Sequence, residues 1–227
     1  MIRLLDLLLT SLAILALAPV FLPIVLILRL TGEGEVIYRQ ERIGKGGEPF
    51  KVIKFATMLK ESPNLEGGFL TRKHDPRVLP VGRVLRRTKI NELPQLFNVW
   101  IGNMSLVGPR PQAPVHYHLY SAEQKAAIDR QTPGVTGIGS LVFRDEEDLL
   151  ERSGQDFDTF HDEIIAPYKG DLERWYAKRD SLGLYFRILL LTAAALVFPL
   201  HGVLRFFPGA PSPPRELERL LRSTDGA

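Results

Sequence analysis

Residues 7–28 read LLLTSLAILALAPVFLPIVLIL, and this apolar stretch decides the kind of fold that the chain can adopt. Its 22 positions hold no charged residue. About 20 apolar residues are enough to span the hydrocarbon core of a bilayer. Arg3 and Asp6 precede the stretch, and Arg29 follows it. The sequence therefore predicts a helix that enters the membrane at the N-terminal end of the chain.

Two prolines, Pro19 and Pro23, lie inside this stretch. Proline lacks a backbone N–H and its ring collides with the preceding turn, so we expect the helix to bend or break near Ala18-Pro19. A straight transmembrane helix and a re-entrant hairpin, which enters and leaves by one face, both fit the pattern. Arginines at both ends favour the hairpin, because each prefers the cytoplasmic headgroups. A cleaved signal peptide fits less well, since the apolar run continues beyond the small residues 16–18.

The composition of the chain indicates a folded protein. Its 227 residues are 45% hydrophobic and 24% charged, which excludes wholesale disorder and allows one domain with appendages or two small domains. A net charge of +3 is too small to indicate a nucleic-acid-binding protein. Cysteine is absent, which excludes a disulfide framework, a thiolate zinc site and a cysteine nucleophile.

Strand patterns follow the first apolar stretch, and a second apolar stretch lies near the C-terminal end of the chain. Residues 36–40 and 50–55 fit two strands, and the glycines of residues 44–47 fit the turn of a β-hairpin. Residues 188–204 are again uncharged, but Pro199 interrupts them and they are too few to span a bilayer. We therefore expect an apolar helix in the membrane interface near the C-terminal end.

A basic segment precedes a predicted helix. Residues 72–89 carry seven basic residues and one acid, Asp75. Arginine matches phosphate oxygens, although a solvated helix face or a membrane-facing patch explains this segment equally well. Residues 91–100 have helical periodicity, with Asn91 as the N-cap and Pro94 in the first turn. Such a helix start attracts anions, and Glu92 would attract Mg²⁺.

A loop, an acidic segment and a pair of histidines can each be explained either by structure alone or by a function. The glycine-proline loop of residues 102–111 presents Arg110 rigidly, or it is an ordinary loop with a solvated arginine. Residues 145–163 hold nine acids and one base, for which a solvated acidic face is a simpler interpretation than a metal site. His116 and His118 fit the same side of a strand, and surface positions explain them without a metal.

Six motifs follow one another along the chain. They are Arg39-Gln40-x-Arg42-x-Gly44; Phe50-Lys51-x-Ile53-Lys54-Phe55-x-Thr57-Met58; Asp75-Pro76-Arg77 with Val81-Gly82-Arg83-x-Leu85-Arg86; Glu92-Leu93-Pro94-Gln95-Leu96; Met104-Ser105-Leu106-Val107-Gly108-Pro109-Arg110-Pro111; and Thr132-Pro133-Gly134-Val135-Thr136-Gly137. Each motif alone is a weak signal, whereas their order is specific. In this order they resemble the motifs of a known family, the bacterial sugar transferases of the monotopic phosphoglycosyl transferase class, in its minimal form.

The resemblance implies a reaction and a location. Such enzymes transfer a phospho-sugar from a UDP-sugar to polyprenyl (undecaprenyl) phosphate, which gives a polyprenyl-diphosphate sugar and UMP. The reaction requires Mg²⁺ and begins the synthesis of surface glycans such as exopolysaccharide or lipopolysaccharide. The implied partners are the UDP-sugar, polyprenyl phosphate and membrane lipids, with no nucleic acid and with a homodimer left open. The implied location is the bacterial inner membrane, with the catalytic domain facing the cytoplasm.

The resemblance also implies a fold and a set of site residues. The expected fold is α+β and mostly helical, with a re-entrant membrane helix over 1–30, a compact interfacial catalytic domain containing the β-hairpin over 31–187, an apolar interfacial helix over 188–207 and a tail over 208–227. The expected catalytic residues are Glu92 and Asn91, with Glu92 also the metal ligand and Pro19 the membrane break. The residues expected to bind substrate or phosphate are Arg110, Arg86, Arg87, Lys54, Arg77, Gln95 and Thr136.

The chain departs from the family's pattern at the catalytic dyad. Asn91 stands where the family has the aspartate that takes the phospho-sugar covalently, and a neutral amide cannot act as that nucleophile. Asn103 replaces a second aspartate, and Ala56 replaces an arginine. Three hypotheses follow: an active transferase that uses Glu92 or direct transfer on the metal, a catalytically silent homologue that binds nucleotide sugar or lipid phosphate as a regulator or scaffold, and a basic membrane-surface adaptor.

Overall fold

A computed structural model describes residues 1–62, 75–198, 200 and 202–223 of the chain. The described residues are mostly helical, with two small two-stranded sheets, as the sequence predicts. Arg72 and Lys73 of the basic segment, and Pro199, lie outside the described residues. The chain divides into two compact units, which are residues 1–41 with 50–106 (unit 1) and residues 42–49 with 107–227 (unit 2). The domain limits expected from the sequence stay predictions.

The N-terminal element of unit 1 is a long apolar helix, α1 (Ile2–Leu30). It is continuous through Pro19 and Pro23, because a proline removes only one helical hydrogen bond and need not end the helix. The helix therefore does not break at Ala18-Pro19, and a bend at this point stays a prediction. The helix is long and apolar enough to cross a membrane, and only 11% of its most apolar window is buried inside the structure. The core helix of a soluble protein is mostly buried, so the large exposed surface of α1 distinguishes it from such a helix.

Both ends of α1 contact the rest of unit 1. Near its start, Arg3 donates hydrogen bonds to the backbone carbonyls of Val99 and Trp100. One turn later, the buried Asp6 carboxylate accepts hydrogen bonds from Ser105 Oγ at 2.8 Å and from the Leu106 N–H at 3.0 Å. Near its end, a core cluster joins four buried side chains from α1 and the rest of unit 1: Ile24, Leu28, Phe55 and Leu85.

A β-hairpin follows α1, which confirms the sequence prediction. Strand β1 (Ile37–Ile43) pairs with strand β2 (Pro49–Phe55), and the turn between them contains a short 3-10 segment (Lys45–Gly47). Unit 1 continues with α2 (Pro80–Arg87), a 3-10 turn (Ile90–Glu92), α3 (Gln95–Ile101) and the start of β3 (Ser105–Val107). Pro80 occupies the first turn of α2, where the missing N–H has no helical partner.

Unit 2 is built mainly from short helices and two longer ones, of which α9 (Ala166–Ala177) has the larger number of buried residues. The apolar helix expected at residues 188–207 corresponds to α10 (Leu182–Val197), which begins earlier because Ser181 caps it by accepting a hydrogen bond from the Leu184 N–H. The other elements are α4 (Pro114–Tyr117), α5 (Ala122–Ile128), β4 (Gly134–Thr136), α6 (Ile138–Val142), α7 (Glu146–Ser153), α8 (Phe157–Phe160), a π-helical segment (His161–Ile165), a 3-10 turn (Val203–Phe206) and α11 (Arg215–Ser223).

Candidate active site

A partly buried ion pair marks the candidate site in unit 1. Lys54 near the end of β2 and Glu92 in the turn before α3 face each other, with 3.8 Å between Lys54 Nζ and Glu92 Oε1. The two side chains are 16% and 18% exposed, so both charges are partly removed from water. Partial desolvation strengthens charge interactions. The structure thus brings together two residues that the sequence analysis assigned to the same site.

Asn91 precedes Glu92 and has an unusual environment. Its side chain is buried, and its Oδ1 accepts no hydrogen bond from any described residue. The sequence prediction that Asn91 is the N-cap of the helix is wrong. The chain forms a separate 3-10 turn at Ile90–Glu92, and α3 begins at Gln95 with Pro94 at the cap position. A buried amide oxygen without a hydrogen bond lowers the free energy of unfolding by about 1–3 kcal/mol, so this atom is a strong candidate for a ligand contact.

The Asn98 side chain of α3 fixes this turn against the hairpin. Its Oδ1 accepts a hydrogen bond from the Ile53 N–H at 2.9 Å, and its Nδ2 donates to the Lys51 carbonyl at 2.8 Å. These two bonds satisfy backbone groups of β2 on either side of Val52. They hold α3, and the turn that leads into it, beside the strand that carries Lys54. Gln95, at the start of α3, is also buried.

Arg77 has a structural partner in unit 1. Its guanidinium grips the Asp75 carboxylate in a two-pronged contact, with 3.0 Å from Nε to Oδ1 and 2.6 Å from Nη2 to Oδ2. Both residues are buried, and the hydrogen bond from Arg77 holds the pKa of the Asp75 carboxyl below its usual range. Arg77 thereby anchors this segment, and its expected role in phosphate binding stays a prediction.

The two arginines expected on α2 differ in their surroundings. Arg86 is partly buried and contacts Met58 Sδ at 3.9 Å, whereas Arg87 lies on the exposed side. A close backbone approach holds the helix that carries them, because a Cβ on Gly82 would lie 2.2 Å from the Thr57 carbonyl oxygen. The position therefore requires glycine, which explains why the motif around Arg86 contains it.

Three glycines in unit 2 shape the loop that carries Arg110. A Cβ would lie 2.3 Å from the Thr132 oxygen at Gly108, 2.1 Å from the Gly108 nitrogen at Gly134, and 2.2 Å from the Gly108 oxygen at Gly137. Hydrogen bonds run in both directions across the contact, from the Gly108 N–H to the Thr136 carbonyl and from the Gly134 N–H to the Pro109 carbonyl. Two of the sequence motifs are therefore one structural element.

Glu173 of α9 also supports the Arg110 loop, a role that the sequence alone does not predict. The backbone N–H groups of Arg110 and Gly139 both donate hydrogen bonds to its carboxyl group. Glu173 is 1% exposed, and this burial raises its pKa to about 8 although the two N–H groups and the charges of Lys169 and Arg110 act in the opposite direction. Its Oε2 has no hydrogen-bond partner among the described residues. The sequence feature that could have identified Glu173 is the presence of an acidic residue among the apolar residues on the buried face of α9.

A charged network around Lys169 was also missed. Lys169 Nζ contacts Glu146 Oε1 at 2.5 Å, and His161 Nε2 lies 3.7 Å from the same oxygen. Burial acts to raise the pKa of Glu146, but the charge and hydrogen bond of Lys169 outweigh it and lower that pKa. The interpretation of residues 145–163 as a uniformly solvated acidic face is therefore wrong at Glu146, because a lysine distant in sequence pairs with it.

His116 lies next to this network rather than on a strand. It belongs to α4, and its ring packs 4.7 Å from that of His161. Ligand atoms of His116, His161 and Asp162 lie within 4.8 Å of one another. Burial lowers the pKa of His116 to about 4, and the neighbouring charges of His161, Arg42 and Lys169 act in the same direction. The strand interpretation of His116 is wrong.

Thr136 has a partner on the apolar helix α10. Its Oγ1 lies 2.7 Å from Thr192 Oγ1, which itself donates a hydrogen bond to the Ile188 carbonyl. Because the Thr192 hydroxyl has one proton, Thr136 donates to Thr192. This bond joins β4 to α10, and the expected contact of Thr136 with substrate stays a prediction.

Comparisons with known proteins agree with the motifs. The profile of the family described as "Bacterial sugar transferase" matches residues 1–199. A curated relative from Klebsiella pneumoniae, "UDP-glucose:undecaprenyl-phosphate glucose-1-phosphate transferase", is 40% identical over 153 residues, which cover 66% of this chain and 33% of the relative. The "Undecaprenyl-phosphate glucose phosphotransferase" of Komagataeibacter xylinus is 42% identical over 208 residues, which cover 86% of this chain and 36% of the relative.

A shorter relative is matched over most of its length. The "Exopolysaccharide production protein ExoY" of Sinorhizobium fredii is 35% identical over 170 residues, which cover 69% of this chain and 74% of that protein. By contrast, the chain spans about a third of the length of the glucose-phosphate transferases from Klebsiella and Komagataeibacter. The family match covers nearly the whole chain, and the chain therefore belongs to the bacterial sugar transferase family.

Proposed function

We propose that the chain transfers a phospho-sugar from a UDP-sugar to undecaprenyl phosphate, with UMP as the second product. The observation that carries the proposal is the Lys54–Glu92 pair, which lies in the same unit as the apolar helix α1. A carboxylate and an orphaned amide oxygen beside a membrane helix suit a reaction between a soluble phosphate donor and a lipid phosphate. The name of the Klebsiella relative contains UDP-glucose and undecaprenyl phosphate, and that of the Komagataeibacter relative contains undecaprenyl phosphate and glucose; both names support the same substrate classes.

The contacts of α1 support a re-entrant rather than a transmembrane helix. Arg3 near the start of α1 binds the carbonyl of Val99 on α3, and Phe21 in the second half of α1 packs 6.2 Å from Phe97 on the same helix. Helix α3 has seven residues and is about 10 Å long, whereas the hydrocarbon core is about 30 Å thick. Residues so close on α3 cannot lie on opposite sides of a bilayer. We propose that α1 enters and leaves by one face.

This topology supports a location at the inner membrane with the folded part in the cytoplasm. Arg3 and Arg29 flank the apolar stretch, and basic residues prefer the cytoplasmic side. The UDP-sugar would then be reached from the cytoplasm and the lipid phosphate from the membrane. Exposed apolar side chains on α3, namely Trp100 and Ile101, support contact of this unit with the interface.

The residues of the turn fit a Mg²⁺ ion. Mg²⁺ is held by one or two carboxylates together with substrate phosphates, and it prefers oxygen ligands. The Glu92 carboxylate supplies such an oxygen, and the unpartnered Asn91 Oδ1 is a second oxygen without another task among the described residues. When bound, the ion would neutralise the charge of the diphosphate. Lys54 would keep a cation beside the carboxylate and help to hold the phosphates.

Glu92 is proposed as the catalytic residue in one of two schemes. In the first, a Glu92 oxygen attacks the sugar-bearing phosphorus and the bond to the UMP oxygen breaks. The lipid phosphate then attacks the same phosphorus and frees the carboxylate. In the second, the lipid phosphate attacks the donor directly. Arg86, Arg87 and Gln95 of unit 1 are proposed phosphate or substrate ligands, since positioning and charge neutralisation carry most of a phosphoryl transfer. The role of Arg110 as a phosphate ligand stays a prediction.

The test is UMP release by purified full-length chain in nanodiscs. Mg²⁺, undecaprenyl phosphate and a panel of UDP-sugars that includes UDP-glucose are supplied. Release that requires both the lipid phosphate and the metal is the expected result, and it should be lost in Glu92→Gln. A trapped phospho-sugar adduct on Glu92 would select the first scheme. No release with any donor, together with activity gained in Asn91→Asp, would overturn the proposal in favour of a silent homologue that binds the substrates.

A further inference from the structure

A surface cavity of about 240 Å³ opens at the start of α10, in unit 2. Among the described residues that line it, two are arginines and none is acidic. The lining residues are Trp175, Arg179, Ser181, Gly183, Leu184, Arg187 and Pro208. A cavity of this volume and charge is suited to an anionic group the size of a phosphate.

Two donors at the cavity are available to such a group. Trp175 is 8% exposed, and its indole N–H has no hydrogen-bond partner among the described residues. Buried indole N–H groups normally have an acceptor, and the described residues supply none to this one, so it can donate to a bound ligand. Arg187 donates one hydrogen bond, from Nη1 to the Phe206 carbonyl at 3.2 Å, and a guanidinium carries five N–H groups in all.

The helix that begins at the cavity presents an apolar stripe to the outside. Phe186, Leu190 and Val197 are 42%, 71% and 72% exposed, and their spacing places them along one face of α10. The helix has 16 residues and is therefore about 24 Å long, which is close to the length of an extended acyl chain. A cationic cavity at one end of an apolar stripe matches an amphiphile with an anionic head.

We propose that this cavity binds the phosphate headgroup of an anionic membrane phospholipid, with an acyl chain lying along the exposed face of α10. The site is built from residues of unit 2, whereas the turn that carries Glu92 belongs to unit 1, and the site serves to hold unit 2 at the membrane surface. Arg179 and Arg187 supply the charge, and the Trp175 N–H supplies a directed hydrogen bond to a phosphate oxygen.

Gly183 offers a way to close the cavity without disturbing the fold. A Cβ at this position meets no atom within 4 Å, and its backbone is not in the left-handed region. The change Gly183→Phe would fill the cavity from the helix side. Arg187→Gln removes one charge, and Arg205→Gln is the matched control, because Arg205 is an exposed arginine of unit 2 that stacks on Phe206 and does not line the cavity.

The experiment uses the fluorescence of Trp175 in the full-length chain. The chain has two tryptophans, so the background change Trp100→Phe leaves Trp175 as the sole reporter. Phosphatidylcholine nanodiscs receive a small fraction of brominated phosphatidylglycerol or, in a parallel sample, brominated phosphatidylcholine. Quenching should be stronger with phosphatidylglycerol. This preference should fall by about fivefold in Arg187→Gln, as expected for one basic residue at a membrane surface, vanish in Gly183→Phe and persist in Arg205→Gln.

Three results would overturn the inference. Equal quenching by the two brominated lipids would show no headgroup selection, and a preference unchanged in Arg187→Gln and Gly183→Phe would place the lipid elsewhere. If inorganic phosphate at millimolar concentration removed the preference and bound equally well without lipid, the cavity would be a site for free phosphate instead. Far-UV circular dichroism of each variant separates loss of the site from loss of the fold.

Discussion

Glu173 should make the stability of the protein fall as the pH rises. Its ordinary pKa is 4.5, and burial raises the pKa in the folded chain to about 8. Below pH 4.5 the carboxyl group is protonated in both the folded and the unfolded chain, so pH has no effect through this group. Between the two pKa values the unfolded chain releases a proton that the folded chain keeps, which favours unfolding by about 1.4 kcal/mol for each pH unit. The loss reaches about 3 kcal/mol at pH 7 and about 5 kcal/mol above pH 8.

Glu173→Gln should abolish this loss. The amide keeps an oxygen that accepts the hydrogen bonds from the Arg110 and Gly139 N–H groups, but it does not ionise. Since 1 kcal/mol shifts the melting temperature of a chain this long by roughly 2–4 °C, the variant should melt about 10 °C above the wild type at pH 7. The two proteins should melt within a few degrees of each other at pH 5.

Thermal unfolding of the full-length chain in detergent, followed by far-UV circular dichroism, measures this difference. The exposed Glu163→Gln serves as the matched control and should track the wild type at both pH values. A melting difference between Glu173→Gln and the wild type that is the same at pH 5 and pH 8 would contradict the raised pKa of Glu173. It would mean that Glu173 does not change its protonation state between the folded and unfolded chain in this range.

Three further predictions follow from named contacts. Asp6→Ala leaves the Ser105 and Leu106 donors without their acceptor and should cost about 1–3 kcal/mol of unfolding free energy, seen as a lower melting temperature that the exposed Leu8→Ala does not share. Gly134→Ala places a Cβ 2.1 Å from the Gly108 nitrogen and should prevent accumulation of folded protein in an expression test, whereas Gly183→Ala should express normally. Asn91→Asp supplies a second carboxylate next to Glu92 and should raise the rate of UMP release, and unchanged turnover would argue that position 91 lies outside the site.

The features that depend on local sequence were predictable. The apolar stretch that forms α1 and the strand–glycine–strand pattern of the hairpin are each encoded within about 30 neighbouring residues, and both are present in the structure. The extent of α1 was less predictable. Proline weakens a helix at one position, and whether the helix then bends, breaks or continues depends on contacts elsewhere in the chain.

The features that depend on distant residues were not predictable from one sequence. Asparagine is a preferred residue type at the N-cap of a helix, but Pro94 occupies that position of α3 and the Asn91 side chain is buried. Glu173 and the Lys169–Glu146 pair need partners that lie 23 or more residues away along the chain, so no local pattern identifies them. The glycines at 108 and 134 appear as separate motifs, and only the fold shows that they touch.

The most direct test of the proposed function is the rate of UMP release by wild type and Glu92→Gln, measured side by side in nanodiscs. Both proteins receive UDP-glucose, undecaprenyl phosphate and Mg²⁺, and circular dichroism confirms that both are folded. We expect release by the wild type that depends on the lipid phosphate, and release at background level by Glu92→Gln. Full turnover by Glu92→Gln would contradict the assignment of Glu92 as the catalytic carboxylate.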